Sequence, residues 1–238
     1  MSPEPRMVEV RKNVLKQNDV VARALRERFR EEGILAVSLV SSPGSGKTTF
    51  LESTLRLLRP HYRVAALVGD LATENDARRL ARSGAPVKQI NTGTLCHLEA
   101  SMIQKALDGW DVGKMDLLFV ENVGNLVCPS SYDLGEDLRL VLLSVTEGEV
   151  KPLKYPTIFN SADVAVITKM DLAAAVDFNE QALDRNIEAV RPGMQILKLS
   201  AKTGEGMQAF LDYIHKLQLL RLQACPSPKL RNSQMSSM

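Results

Sequence analysis

The residues Ser41-Ser42-Pro43-Gly44-Ser45-Gly46-Lys47-Thr48-Thr49 combine two glycines, a lysine and hydroxyls in an order suited to phosphate binding. Consecutive backbone N–H groups in such a loop, with the positive end of the helix that follows, make a cradle for phosphate oxygens. Lys47 is placed to reach the β- and γ-phosphates, and the Thr48 hydroxyl to ligate Mg²⁺. Ser41, five positions before Gly46, stands where this pattern has its first glycine. Gly44 and Gly46 remain at the tight part of the turn, where close approach of backbone to phosphate forbids a Cβ. The chain is expected to bind a nucleoside triphosphate through Ser42 to Thr49.

Acids that could serve a phosphoryl transfer follow at three places. Asp70 closes the run Val64–Gly69, Asp76 lies six residues on, and Glu121 closes the run Asp116–Val120. An acid at the end of a strand beside the loop suits Mg²⁺ or water chemistry. Glu121 stands where Asp is usual, and its longer reach fits a contact through water. Asp70 is preferred as the Mg²⁺-linked acid and Asp76 as the mobile one, although the residues do not decide which orients the attacking water. With Lys47, these are the candidate catalytic residues, and Thr48, Asp70 and Glu121 are the magnesium set. Thr168-Lys169-Met170-Asp171 resembles the Asn-Lys-x-Asp element of GTPases, with Thr in place of Asn. Guanine offers N1–H and N2–H₂ as a paired donor edge that one carboxylate, Asp171, accepts. Adenine has no such edge, and Lys169 would lie along the base plane. Ser200-Ala201-Lys202 resembles the second guanine-contacting element, so the expected nucleotide is GTP.

Cys96 and His97 are adjacent, and Cys128 lies four residues past Gly124. Both segments follow apolar runs, so they can converge beside the nucleotide. Thiolate with imidazole suits Zn²⁺, and imidazole also suits Ni²⁺. Three ligands leave a tetrahedral site open, to be completed by a second copy of the chain or by water. The alternative is that the cysteines are buried apolar groups.

The elements that must position these residues alternate along the chain. Apolar runs at Ile34–Val40, Val64–Val68, Pro86–Asn91, Asp116–Val120, Leu138–Val145, Asp163–Ile167 and Gln195–Leu199 read as strands. Helical patterns occupy Val8–Glu32, Phe50–Leu58, the stretch to Ala81, Cys96 to about Leu107, Phe178–Val190 and Gly206–Leu222. Glu147 to Pro156 reads as a proline-interrupted loop with two lysines. The fold class expected is α/β, a P-loop NTPase with a mostly parallel sheet and helices on both faces. Residues 1–32 form an N-terminal extension with an amphipathic helix, 33–222 the nucleotide domain, and 223–238 a disordered tail containing Cys225. With 30 basic and 28 acidic residues among 238, no basic field points to nucleic acid. No apolar run approaches the ~20 residues that span a bilayer. Three cysteines and a nucleotide site point to a reducing, cytoplasmic setting.

Cys96-His97-Leu98-Glu99-Ala100, Glu121-Asn122-Val123-Gly124-Asn125-Leu126-Val127-Cys128-Pro129 and Lys151-Pro152-Leu153-Lys154-Tyr155-Pro156 together resemble the hydrogenase nickel-incorporation GTPases, the HypB family. The resemblance runs from about Asn18 to Leu217, and that family belongs to the SIMIBI class of P-loop GTPases. It implies a GTP-dependent metallochaperone that dimerises with GTP or metal and delivers Ni²⁺ to the large subunit of [NiFe]-hydrogenase. A small zinc-containing partner, HypA, is implied with it, and the family's metal ligands map onto Cys96, His97 and Cys128. The N-terminal Cys-x-x-Cys-Gly-Cys site and the histidine-rich stretch of some members are absent, and three histidines make no nickel store. A relative serving urease, or a nucleotide-gated scaffold that carries no metal, are the alternatives.

Overall fold

The computed structural model describes residues 6–70 and 75–224. The element order is α1 (Arg6–Glu32), β1 (Leu35–Ser41), α2 (Lys47–Leu58), β2 (Val64–Asp70), α3 (Asn75–Ala81), β3 (Val87–Asn91) and α4 (Ala100–Ala106). It continues with β4 (Leu117–Glu121), β5 (Leu138–Ser144), α5 (Lys151–Lys154), α6 (Pro156–Ser161), β6 (Val164–Thr168), α7 (Glu180–Val190), β7 (Gln195–Lys198) and α8 (Met207–Ala224). The seven strands make one sheet in the order β3-β2-β4-β1-β5-β6-β7, with every pairing parallel.

Both faces of the sheet are covered, which explains why the strands are near-continuous apolar runs rather than alternating ones. Leu35, Val37 and Leu39 face one layer, where Phe50, Leu51 and Leu55 of α2 meet Phe210 and Ile214 of α8. Ala36 points the other way, to Ala22, Leu25 and Phe29 of α1 and Ile103 of α4. Val40, Val141 and Ile167 pack on Ile158 and Phe159 of α6 and Leu183 and Ile187 of α7. All strands run the same way, so Ser41, Asp70, Glu121, Ser144 and Thr168 end on one edge of the sheet. Register sets Glu121 opposite Leu39, two residues short of the loop on the adjacent strand.

Three expectations are corrected. The stretch expected as a loop at 147–156 contains the short helix α5 and leads into α6. Its prolines sit at the first or second helical positions, where the missing N–H costs nothing and the fixed φ favours the helix. The helix expected to open at Cys96 begins at Ala100, because Glu99 is extended (φ −118°, ψ 154°). Cys96 and His97 therefore lie on an irregular segment ahead of α4. The helix expected from Phe50 starts at Lys47, directly on the phosphate loop. Residues 1–5, Leu71 to Glu74 and the tail with Cys225 lie outside the described residues. No helix among those described is long and apolar enough to cross a membrane.

Candidate nucleotide and metal site

The turn after β1 delivers a helix with open amides. Gly46 precedes Lys47 with φ +92°, no side chain caps α2, and its first turn holds no acid. Those N–H groups are the ones an anion would take. A Cβ at Gly44 would meet nothing within 4 Å, but its φ of +78° is strained for any other residue. Ser41 is fully buried. Its hydroxyl accepts from Lys47 Nζ at 2.9 Å and from Ser45, and donates to the Ser42 carbonyl at 2.7 Å. The serine at this position thus holds the lysine over the loop. Burial lowers the Lys47 pKa, against the opposing charges of Glu121, Asp76 and Glu147.

Thr48 Oγ1 donates to Glu121 Oε1 at 2.8 Å, while Glu121 Oε2 is buried without a hydrogen-bond partner among the described residues. Burial pushes the Glu121 carboxyl up to about 7, with Lys47 and the Thr48 hydroxyl pulling the other way. A buried carboxylate oxygen left unpaired beside a hydroxyl and an ammonium fits a divalent cation and its water shell. Asp76 adds its charge at both Lys47 and Glu121. Asp70 ends β2, where its carbonyl accepts from the Thr92 N–H at 3.1 Å.

The elements expected to hold the base close over the same loop. Thr168 Oγ1 donates to the Ser45 carbonyl at 2.6 Å, so the threonine joins β6 to the loop. Lys169 takes a left-handed conformation (φ 59°), and its Nζ donates to the Gly44 carbonyl at 2.7 Å. Asp171 accepts from the Ser200 hydroxyl at 2.6 Å, Met170 N–H bonds the Leu199 carbonyl at 3.2 Å, and the Ala201 carbonyl accepts from Ser53 at 3.2 Å. Lys202 is exposed. The Asp171 and Ser200 segments are therefore one assembly, tied to the loop through Thr168 and Lys169.

Cys96, His97 and Cys128 also converge, their ligand atoms all within 4.8 Å of one another. The two sulfurs are 2.9 Å apart and His97 Nδ1 is 4.0 Å from Cys96 Sγ. The Cys96 pKa is raised by its hydrogen bond to Cys128 and by burial, which works against the thiolate form that a metal requires. Burial lowers the His97 pKa against the pull of Glu99, which keeps a ring nitrogen free to ligate near neutral pH. His97 Nε2 is buried without a hydrogen-bond partner among the described residues, 3.6 Å from Glu99 Oε1.

Several contacts escaped sequence reasoning. Tyr132 lies against His97, with centroids 4.0 Å apart and planes 33° from parallel. Asn122 Oδ1 accepts from Leu98 N–H at 3.0 Å, joining the end of β4 to the segment after His97. A Cβ on Gly124 would come within 3.2 Å of Pro43 in the phosphate loop. Arg79 reaches Thr49 Oγ1 at 2.8 Å and Glu52 at 3.0 Å. Glu147 accepts from the Ser42 hydroxyl and from Lys151 at 3.1 Å. Only Glu147 had a local signal, since Ser144 and Glu147 form a capping box at the usual spacing. The other contacts depend on long-range packing.

A seven-stranded parallel sheet with this loop at the end of its central strand defines a P-loop nucleotide-binding protein. The family model described as "CobW/HypB/UreG, nucleotide-binding domain" matches residues 35–198, and the chain belongs to that family, among its HypB members. It is 45% identical over 224 residues to the hydrogenase maturation factor HypB of Azotobacter chroococcum mcd 1, covering 93% of this chain and 72% of that protein. It is 40% identical over 221 residues to the hydrogenase/urease maturation factor HypB of Helicobacter hepaticus, covering 91% and 90%. A crystal structure of HypB from Helicobacter pylori in complex with nickel superposes with a TM-score of 0.81 at 41% identity, covering 85% of this chain and 95% of that one.

Proposed function

We propose that this chain is a GTP-hydrolysing metallochaperone that delivers nickel during maturation of [NiFe]-hydrogenase, with metal transfer gated by GTP-dependent dimerisation. The observation that carries this reading is a single segment of chain. Glu121, beside the phosphate loop, and Cys128, in the thiol–imidazole cluster, are seven residues apart, and Gly124 between them lies against Pro43. What happens at the phosphates is thereby carried to the metal.

In this reading Asp171 accepts the guanine N1–H and N2–H₂, and Ser200, Ala201 and Lys202 meet its other edge. Lys47 leaves the Ser41 hydroxyl for the phosphates, where its charge offsets that developing on the transferring phosphoryl. Thr48, Glu121 and Asp70 would hold Mg²⁺, which would supply further charge neutralisation. Asp70 or Asp76 orients the attacking water. The cargo is Ni²⁺ or Zn²⁺, taken by Cys96, His97 and Cys128. Three donors are completed by a second copy of the chain, and the metal passes on with a HypA-like zinc-containing protein to the hydrogenase large subunit. Residues 33–222 form the GTPase domain, 1–32 an N-terminal extension with an amphipathic helix, and 223–238 a tail, in a cytoplasmic protein that works without nucleic acid or membrane. The name of the Helicobacter relative, which joins hydrogenase and urease, supports a second reading with urease as the client.

Metal stoichiometry and oligomeric state, measured with GDP and with a non-hydrolysable GTP analogue, test the reading. A dimer and an altered metal count with the analogue are expected. A monomer with unchanged metal in both forms contradicts it.

A further inference from the structure

The two segments that carry the metal donors are joined by a residue that is not a donor. Asn18, in the middle of α1, is 6% exposed. Its Oδ1 accepts from the Ala100 N–H at 2.9 Å, three residues past His97. Its Nδ2 donates to the Asp133 carbonyl at 2.8 Å, five residues past Cys128. Each contact is itself tied to the site. Ala100 opens α4, and Glu99 ahead of it offers no side-chain cap, so the amide is satisfied from another helix. Asp133 follows Tyr132, whose ring covers His97. Arg26, two turns further along α1, binds Asp133 Oδ1 at 2.6 Å and reaches the Glu136 carbonyl at 3.3 Å, fixing the same loop.

We propose that Asn18 is a positioning residue of the metal site: it sets the separation of the His97 and Cys128 segments, so metal affinity depends on a helix that contributes no ligand. The inference rests on Cys96, His97 and Cys128 taking metal, and adds to it that α1 holds the donors together. An amide is the side chain suited to this, since one oxygen serves an N–H while one nitrogen serves a carbonyl. A loss of either contact leaves a buried polar group unpaired and lets one segment drift. Ligand geometry held from outside the donor set accounts for substantial affinity in metal sites generally.

The test titrates Ni²⁺ and Zn²⁺ into the full chain against a chromogenic chelator, reading affinity and the thiolate-to-nickel charge-transfer band. Asn18→Ala is expected to weaken binding roughly 10- to 100-fold and to change the band, with GDP affinity unaltered. Asn18→Asp keeps the acceptor for Ala100 but sets an oxygen against the Asp133 carbonyl. It too is expected to weaken binding, and it preserves the test if the alanine variant folds poorly. Gln218→Ala removes a buried contact of α8, the 3.2 Å bond to the carbonyl of Gly33, the residue that follows α1, and is expected to leave metal affinity unchanged. Wild-type affinity and band in both Asn18 variants, or an equal loss in Gln218→Ala, overturns the positioning role. If the parent's binding is already indifferent to Cys96→Ala/Cys128→Ala, the metal reading beneath it falls as well.

Discussion

Glu121 is a buried titratable group beside the phosphate loop, hydrogen-bonded to Thr48. Its folded-state pKa of about 7 lies well above the ordinary carboxylate value, with burial the main cause. A carboxyl that binds its proton more tightly when folded contributes stability that is present at low pH and is lost as pH rises through about 7. A shift of this size corresponds to about 3 kcal/mol at its full extent. The nucleotide-free, metal-free protein should therefore melt at lower temperature at pH 8.5 than at pH 6, by about 1.4 kcal/mol on the stability scale, the rest of the loss falling between the unfolded value of 4.5 and pH 6. Glu121→Gln should flatten the dependence. A melting profile equally steep in the variant assigns the effect to another group. At the base, Asp171→Asn replaces an acceptor with an amide and should shift preference from GTP toward XTP, read by competition binding. ATP competing as well as GTP with the parent protein contradicts the guanine assignment.

At the scale of elements, the legible and the illegible parts of the sequence divide by range. The phosphate loop, the strands that feed it and the acids that end β2 and β4 were visible because each is a local pattern of spacing and periodicity. The convergence of Cys96, His97 and Cys128 was open from spacing alone, because it depends on β3 and β4 ending on the same edge of the sheet. Tyr132 over His97 and Asn18 between Ala100 and Asp133 had no local signature, since each joins segments 35 or more residues apart. The helices at 151–161 were missed because proline was read as a breaker where it begins a helix. Two substitutions probe the elements. Lys47→Ala should abolish GTP hydrolysis with the circular dichroism spectrum retained, because in the proposed mechanism the lysine serves phosphates, and its one hydrogen bond among the described residues is to the Ser41 hydroxyl. Full hydrolysis in a folded variant removes Lys47 from the mechanism. Gly124→Ala places a Cβ 3.2 Å from Pro43, so either the β4 exit or the phosphate loop must give. It should weaken GTP-analogue binding several-fold in equilibrium titration while leaving the melting temperature near that of the parent, and unchanged binding denies the contact a role.

The whole molecule sets a nucleotide site and a thiol–imidazole site on the same edge of one sheet, joined by the exit of β4. Strands β1 and β4 hold Glu121 against Thr48, Asn122 ties the following residue to the His97 segment, and Cys128 ends the path. The Glu121 oxygen without a hydrogen-bond partner among the described residues and the two thiols 2.9 Å apart are each poised to change when their ligands arrive. Linkage requires that nucleotide and metal alter each other's affinity by the same factor, and a coupling of ~1–3 kcal/mol corresponds to roughly 5- to 150-fold. The direct measurement is a titration of Ni²⁺ into the GDP form and into the GTP-analogue form of the same preparation, with Cys96→Ala/Cys128→Ala as the control. Affinities that differ between the two states within that range, and a difference abolished by the double substitution, are expected. Equal affinity in both states, or a difference that survives loss of the two cysteines, contradicts nucleotide-gated metal transfer.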